Sequence, residues 1–207
     1  SRLAKYTEGE LSEVDTLAQL YRAFVMRRFP QIKEAFRSVA DLVAIGTLAD
    51  MMPLRNENRI LVREGLRKLN VDPSPPMRTL LERQSLLGKP INTKVVGWQI
   101  APIINASGRM GEPDTAVRLL LSRDPAERSD LADKVVSLNR KRKKIGEDAW
   151  RRVLPKADES FKEHQERLIM VHDNEVHRGV TGIIAGRLSR QFRAPAGVVT
   201  SVESGLV

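Results

Sequence analysis

Two aspartates, Asp41 and Asp50, stand at the ends of an apolar stretch whose sequence is D-L-V-A-I-G-T-L-A-D-M-M-P-L. A carboxylate delivered to the end of a rigid element is one way in which proteins hold a metal ion or a catalytic acid. The same pattern is also typical of a helix or strand whose terminal acids are simply solvated. The residue types alone leave both interpretations open, and they favour the solvated one.

A second candidate for a functional site is the stretch from Asn105 to Gly111, whose sequence is N-A-S-G-R-M-G. Small residues around a single arginine suit a loop whose backbone must approach a ligand closely. In such a loop the amides and Ser107 would donate to a phosphate, and Arg109 would add a bidentate guanidinium. A plain turn with an exposed arginine is the alternative, since glycine and serine are common in all turns.

A third stretch is strongly basic. Asp124 and Pro125 are typical of a helix start, and apolar residues then recur on one face for about five turns. The other faces carry eight cations against three acids, Asp133, Glu147 and Asp148; the cations are Lys134, Arg140, Lys141, Arg142, Lys143, Lys144, Arg151 and Arg152. Contact with a phosphate backbone and a solvated helix face are equally compatible with this pattern.

Composition narrows the class of protein. The 207 residues contain 35 Lys and Arg against 26 Asp and Glu, a net charge of +9 that favours polyanionic partners, nucleic acid above all. An aromatic content of 4% argues against base-stacking platforms, and the absence of cysteine excludes disulfides and thiolate chemistry. No apolar run reaches the ~20 residues of a membrane span, so we expect a soluble, cytoplasmic protein that contacts no membrane.

The elements that must position these residues are mostly helical in the first half. Apolar spacing predicts helices over residues 11–29 and 31–48, with Gly46 on the packing face of the second. Pro53 should force an end to that helix, which places Asp50 at or just past its last turn. Further helices are predicted to start near Asn56, over residues 77–87, and after Asn92 or Thr93 as a cap.

The pattern changes after Pro155. The run from Arg167 to Val171 is typical of a strand, residues 180–188 are typical of a helix, and residues 197–200 are typical of a second strand. Strand, helix and strand in this order predict a parallel βαβ unit, so the fold class is α/β.

Three segments, taken in their order and spacing, resemble the RecJ family of single-strand-specific exonucleases in the DHH phosphoesterase superfamily. They are D-L-V-A-I-G-T-L-A-D-M-M-P-L with the following N-R-I-L-V-R-E-G-L-R-K-L, then I-A-P-I-I-N-A-S-G-R-M-G, and H-R-G-V-T-G-I-I-A-G-R-L. The resemblance implies the C-terminal part of a DHH catalytic domain over residues 1–123, a basic connecting helix over 124–154, and the start of a smaller DHH-associated α/β domain over 155–207.

The resemblance also implies roles for individual residues. Asp50 matches a metal-ligating aspartate, whereas Asp41 has no such match and is assigned a structural role. Arg109 matches an arginine that would hold the terminal 5′-phosphate, with Asn105 and Ser107 shaping its surroundings. Other nucleic-acid contacts are expected from a histidine at the domain interface and from the basic helix face: His177, Arg140, Arg142 and Lys143.

The function implied by the resemblance is removal of nucleotides from the 5′ end of single-stranded DNA in repair and recombination, by water activated on Mn²⁺ or Mg²⁺. Single-strand-binding protein and a helicase are expected partners. The family's D-Y-D-A-D-G and D-H-H motifs and its glycine-rich segments are not in this sequence. We therefore expect an internal fragment that is inactive alone. The alternatives are a DHH-family phosphodiesterase for oligonucleotides or cyclic dinucleotides, and a non-catalytic nucleic-acid-binding scaffold.

Overall fold

The computed structural model describes residues 13–201, apart from the side chain of Lys33, and this part of the chain is predominantly helical. The α-helices are α1 Glu13–Arg28, α2 Pro30–Ala49, α3 Asn56–Val71, α4 Pro75–Arg83, α5 Thr93–Val95, α6 Ala101–Arg109, α7 Pro113–Leu121, α8 Pro125–Glu163 and α9 Thr181–Phe192. A π-helical segment, Val96–Ile100, joins α5 to α6, and a 3₁₀ turn, Arg178–Val180, precedes α9. No helix in these residues is both long and apolar enough to cross a membrane.

Capping side chains and prolines start several helices, and α5 and α8 start at the predicted positions, whereas α4 starts at Pro75 and ends at Arg83, so its predicted range of 77–87 is wrong. Asn92 caps α5, because its Oδ1 accepts from the Val95 N–H at 2.9 Å. Asp124 caps α8 in the same way, accepting from the Ala126 N–H at 2.8 Å. Prolines stand in the first turns of α2, α4, α7 and α8, where their missing N–H costs nothing.

Helix α8 continues to Glu163, so the expectation that the connecting helix stops at residue 154 is wrong. Pro155 lies inside the helix, where it removes one backbone hydrogen bond. The flanking Val153 and Ala157 are both fully buried, and their packing holds the helix together across the proline. The proposed domain division at 123 and 154 stays a prediction.

The buried apolar residues form two separate cores, and α8 contributes to both. Its first half packs Leu131 and Val135 into a core built with α2 to α7. Its second half packs Trp150 and Val153 against β1 and α9. The basic segment over residues 137–148 therefore bridges the two cores.

Helices α2 and α3 pack closely through a glycine, but it is Gly65 of α3 and not Gly46. A Cβ at Gly65 would collide with the carbonyl oxygen of Ala40 and the Cβ of Ala44. Gly46 is exposed, and a Cβ added there would meet nothing within 4 Å, so its predicted role in packing is wrong.

The predicted βαβ unit is confirmed. Strands β1, Ile169–His172, and β2, Ala196–Val199, pair in parallel, with Ile169 opposite Ala196 and His172 opposite Val199. Helix α9 is the crossover between them. The α/β assignment is thus confirmed in a coarse sense, as a mostly helical fold with a small parallel sheet.

Candidate metal and nucleic-acid site

Asp41, at the start of the apolar stretch, is a structural residue. It is 0% exposed, and its carboxylate accepts hydrogen bonds from two backbone N–H groups. One is the adjacent Leu42 at 3.0 Å, and the other is Ser74 at 2.7 Å, at the N-terminal cap of α4. The side chain therefore ties α2 to the start of α4 and does not reach solvent.

Asp50, at the other end of the stretch, is differently placed. It is the C-terminal cap of α2, as Pro53 predicts, and its backbone N–H donates to the carbonyl of Gly46 at 3.0 Å. The residue is exposed, and its carboxylate has no hydrogen-bond or salt-bridge partner among residues 13–201. Its oxygens are therefore available to a ligand.

A metal site cannot be assembled from this carboxylate alone. Mg²⁺ takes octahedral oxygen coordination and is usually bound through one or two carboxylates with waters and substrate oxygens, so Asp50 by itself is a partial ligand set. Over the part of the chain that the structure describes, no three His, Cys, Asp or Glu side chains are grouped to hold a metal ion. These residues do not fit a complete metal centre.

The segment from Asn105 to Gly111 is not a loop. It is the C-terminal end of α6, closed by a Schellman motif in which Gly111 has φ +82°. The N–H of Glu112 donates to the Ser107 carbonyl at 2.8 Å, and that of Gly111 to the Gly108 carbonyl at 3.2 Å. The prediction that backbone amides here cradle a phosphate is wrong, because helical bonding uses them. The glycine two residues beyond Arg109 was the sequence signal for a helix end.

The two smaller residues of this segment have different environments. Ser107 is 2% exposed, and its hydroxyl donates to the Ile104 carbonyl at 2.8 Å. Its side chain therefore faces the interior, and the idea that it donates to a phosphate directly is wrong. Asn105 is exposed and lines a cavity of about 150 Å³ between α2 and α6 that also touches Ala49, the neighbour of Asp50.

Arg109 lies in the last turn of α6 and connects this helix to the turn before α9. Its Nη1 donates to the carbonyl of Gly179 at 3.2 Å. The two backbones touch here, because a Cβ at Gly179 would collide with the Arg109 carbonyl oxygen. His177 caps this turn, its Nδ1 accepting from the Gly179 N–H at 3.0 Å. Sequence reasoning singled out Arg109 and His177 but missed Gly179, which brings them together.

The basic face of α8 passes beside this turn. Arg140 and Lys143 are exposed, and Arg142 is half-buried. Burial lowers the pKa of Arg142, and the positive charge of Arg109 lowers it further. Arg142 Nε donates to Oδ1 of Asn139 at 3.1 Å. Asn139 is a second residue that the sequence reasoning missed.

These side chains follow one another across the surface. The end of α2 with Asp50 adjoins Asn105 of α6, Arg109 stands one turn further along α6, and the 3₁₀ turn links it to Arg142 of α8. Arg109, Arg140, Arg142 and Lys143 make no salt bridge within residues 13–201. Within the described residues, this surface therefore combines an unpaired carboxylate at the end of α2 with cations on α6 and α8 that make no salt bridge.

The chain is similar in sequence to known proteins of one family. The chain is 39% identical over 160 residues to the single-stranded-DNA-specific exonuclease RecJ of Thermus thermophilus, covering 77% of this chain and 23% of that protein. The RecJ of Bacillus subtilis is 34% identical over 161 residues, covering 75% and 20%. No protein-family model matches the chain.

The solved structures that the chain resembles belong to the same family. The crystal structure of Thermus thermophilus RecJ in complex with Mg²⁺ superposes with a TM-score of 0.70 at 38% identity, over 79% of this chain and 25% of that one. A structure of exonuclease RecJ bound to manganese gives 0.68 at 37% identity, over 79% and 40%. The chain is therefore homologous to one part of RecJ, which confirms the resemblance, and it spans about a quarter of the length of the curated relatives it matches.

Proposed function

We propose that this chain is the central part of a RecJ-like exonuclease that removes nucleotides from the 5′ end of single-stranded DNA. The observation that supports the proposal is the hydrogen bond from Arg109 to the carbonyl of Gly179, which joins the exposed C-terminal end of α6 to the turn before α9. The homology to RecJ supports the substrate class.

In this proposal Asp50 is one ligand of a Mn²⁺ or Mg²⁺ site. Two of the solved relatives hold these two ions, and the Asp50 carboxylate is not engaged by the described residues. The remaining ligands must come from outside residues 13–201, because these residues contain no suitable cluster. The 207-residue chain alone should therefore show no metal-dependent hydrolysis, whereas the complete protein should lose it with Asp50→Asn.

Arg109 is proposed to hold the 5′-terminal phosphate. It stands at the C-terminal end of α6, where the helix dipole disfavours an anion, so the guanidinium itself must supply the attraction. Asn105, four residues earlier on the exposed side, and the Nε2 of His177 on the neighbouring turn are placed to contact the adjoining nucleotide.

Binding at the 5′ end can be measured with one oligonucleotide carrying either a 5′-phosphate or a 5′-hydroxyl group. We expect the protein, without divalent metal so that nothing is hydrolysed, to prefer the phosphorylated strand. Arg109→Gln should remove about 1.5–3 kcal/mol of binding from the phosphorylated strand only. An unchanged preference in Arg109→Gln would exclude the role given to this residue. A cleavage series from dinucleotides to long strands separates this function from that of an oligonucleotide or cyclic-dinucleotide phosphodiesterase.

The basic face of α8 is proposed to follow the phosphate backbone. Replacing Arg140, Arg142 and Lys143 together by Gln should reduce the slope of log K against log salt by about 2, at roughly 0.7 per phosphate contact on a single strand. The matched control removes three cations that already pair with carboxylates, Arg83 with Asp133, Arg118 with Glu127 and Lys134 with Glu112. Equal slopes for the two triple variants would show that the α8 face is only solvated.

Single-strand-binding protein and a helicase, and a place in DNA repair and recombination in the cytoplasm, stay predictions. Each is testable on the complete protein by co-purification and by the repair phenotype of Asp50→Asn.

A further inference from the structure

The amide side chain of Asn139 is buried in the middle of a helix whose neighbouring faces are apolar or charged. It is 6% exposed, and its Oδ1 accepts from Arg142 Nε at 3.1 Å. Burial of an amide is unfavourable unless it is hydrogen-bonded, so this position needs a reason. Residues three apart on a helix face each other, and the bond fixes the direction in which the guanidinium of Arg142 leaves the helix.

Arg142 and Arg109 lie on different helices, and each is next to the 3₁₀ turn Arg178–Val180. Arg142 lines a groove of about 330 Å³ between α8 and α9, whose wall includes Val180. Arg109 donates to the carbonyl of Gly179, the residue just before Val180. Both arginines therefore border the same 3₁₀ turn, Arg109 through its hydrogen bond to Gly179 and Arg142 through the groove that Val180 also lines.

We propose that Arg109 and Arg142 bind one and the same phosphate group, the terminal phosphate of the strand, and that Asn139 is the positioning residue for Arg142. The inference rests on the proposed function, and it moves Arg142 from the backbone-following face of α8 to the site that recognises the strand end.

Electrostatics support a shared dianion. Two neighbouring guanidinium groups repel each other, and the charge of Arg109 lowers the pKa of the half-buried Arg142 accordingly. The one carboxylate lining the groove, Glu147, lies 3.5 Å from Arg187 and so already has a cation. A terminal phosphate monoester carries roughly −1.5 to −2 near pH 7, against −1 for an internal diester, and it offers oxygens for two bidentate forks. The pair of arginines therefore favours a strand end over an internal position.

The test compares equilibrium binding of one oligonucleotide with a 5′-phosphate or a 5′-hydroxyl group, without divalent metal. Arg142→Gln should weaken binding of the phosphorylated strand about tenfold to hundredfold and leave the hydroxyl strand nearly unchanged. Asn139→Leu, which keeps the volume but removes the acceptor, should reproduce part of this loss. The double variant Asn139→Leu with Arg142→Gln should bind the phosphorylated strand about as weakly as Arg142→Gln alone, since the two side chains act as a unit. Asn139→Gln retains a neutral amide acceptor and should retain more of the preference than Asn139→Leu.

The control is Arg140→Gln, an exposed cation on the same helix that should weaken both strands equally. If Arg142→Gln also weakens both strands equally while Arg109→Gln acts on the phosphorylated strand alone, the shared site is wrong and the proposed function stands. If Arg109→Gln leaves the end preference intact, the proposed function itself fails. If Asn139→Leu unfolds the protein, Asn139→Ala, which also removes the acceptor, replaces it in the test. A positioning role is wrong if Asn139→Ala keeps the full preference for the phosphorylated strand.

Discussion

The two aspartates of the apolar stretch should respond oppositely to substitution. Asp41→Ala removes a fully buried carboxylate that accepts from Ser74 N at 2.7 Å and from Leu42 N at 3.0 Å. A hydrogen bond to a charged acceptor contributes about 1.5–3 kcal/mol. The Ser74 N–H would then be left unpaired next to its own buried hydroxyl, which already lacks a partner among the described residues.

We therefore expect Asp41→Ala to lower the free energy of unfolding by about 3 kcal/mol, since the Ser74 bond contributes most and the local Leu42 bond adds less. At roughly 2–4 °C per kcal/mol for a chain of this size, Tm should fall by about 6–12 °C. Asp50→Ala removes an exposed carboxylate with no partner in residues 13–201, so its effect should stay within about 0.5 kcal/mol.

Urea unfolding followed by far-UV circular dichroism gives the free energy of unfolding of both variants and of the unsubstituted protein. Metal-dependent hydrolysis by the complete protein gives the second readout, in which Asp50→Ala should be inactive. Asp41→Ala should retain activity at temperatures where it is folded. The assignment of structural and ligand roles would be refuted if Asp50→Ala were destabilised as much as Asp41→Ala, or if Asp41→Ala were as stable as the unsubstituted protein.

Three further outcomes follow from individual contacts. Burial alone would raise the pKa of Asp173, but hydrogen bonds from Lys156 and the Glu175 N–H lower it overall. The carboxylate should therefore stabilise the fold fully above its ordinary pKa of 3.8, and this contribution should disappear as the pH falls through the lowered pKa. Urea unfolding curves of Asp173→Asn and the unsubstituted protein should differ near neutral pH and converge once the pH is below the lowered pKa. Gly65→Ala should lower stability by about 1–3 kcal/mol because its Cβ collides with α2, whereas the control Gly46→Ala should raise it by about 0.5–1 kcal/mol, as thermal unfolding would show. Pro155→Ala restores a donor inside α8 and should raise Tm, and a fall in Tm would mean that the proline stabilises a bend that the second core requires.

Local sequence signals were sufficient where a single residue decides backbone geometry. Asn92 and Asp124 start helices by accepting from N–H groups two or three residues ahead, and Pro53 places Asp50 at a helix end. These interactions lie within a few residues of one another, so the sequence pattern contains all of the partners. The same holds for the parallel βαβ unit, because an apolar strand, a helix and a second apolar strand in this order predict a parallel pair joined by a helical crossover.

Errors arose where long-range packing outweighs a local preference. Pro155 is a helix breaker by local rules, yet Val153 and Ala157 are buried in the second core and the helix continues. The small residues from Asn105 to Gly111 favour a loop by local rules, but the buried Ile103 and Ala106 anchor them as the end of a helix. Gly46 and Gly65 both lie on helices, and only the approach of α2 to α3 decides which of them packs closely.

The sequence by itself determined that this is a basic, mostly helical protein with a βαβ unit, and the likeness of its motifs to RecJ predicts site roles for Asp50 and Arg109. The residue types alone did not separate Asp41 from Asp50, because both are aspartates at the end of one apolar run, and only the likeness to RecJ assigned them different roles. The tertiary structure supplies the physical reason for the role of Asp41, since the backbone N–H that binds it belongs to Ser74, 33 residues away. Tertiary contact also brings Arg109, Gly179 and Arg142 to one turn, because convergence of three elements depends on how both cores pack around α8.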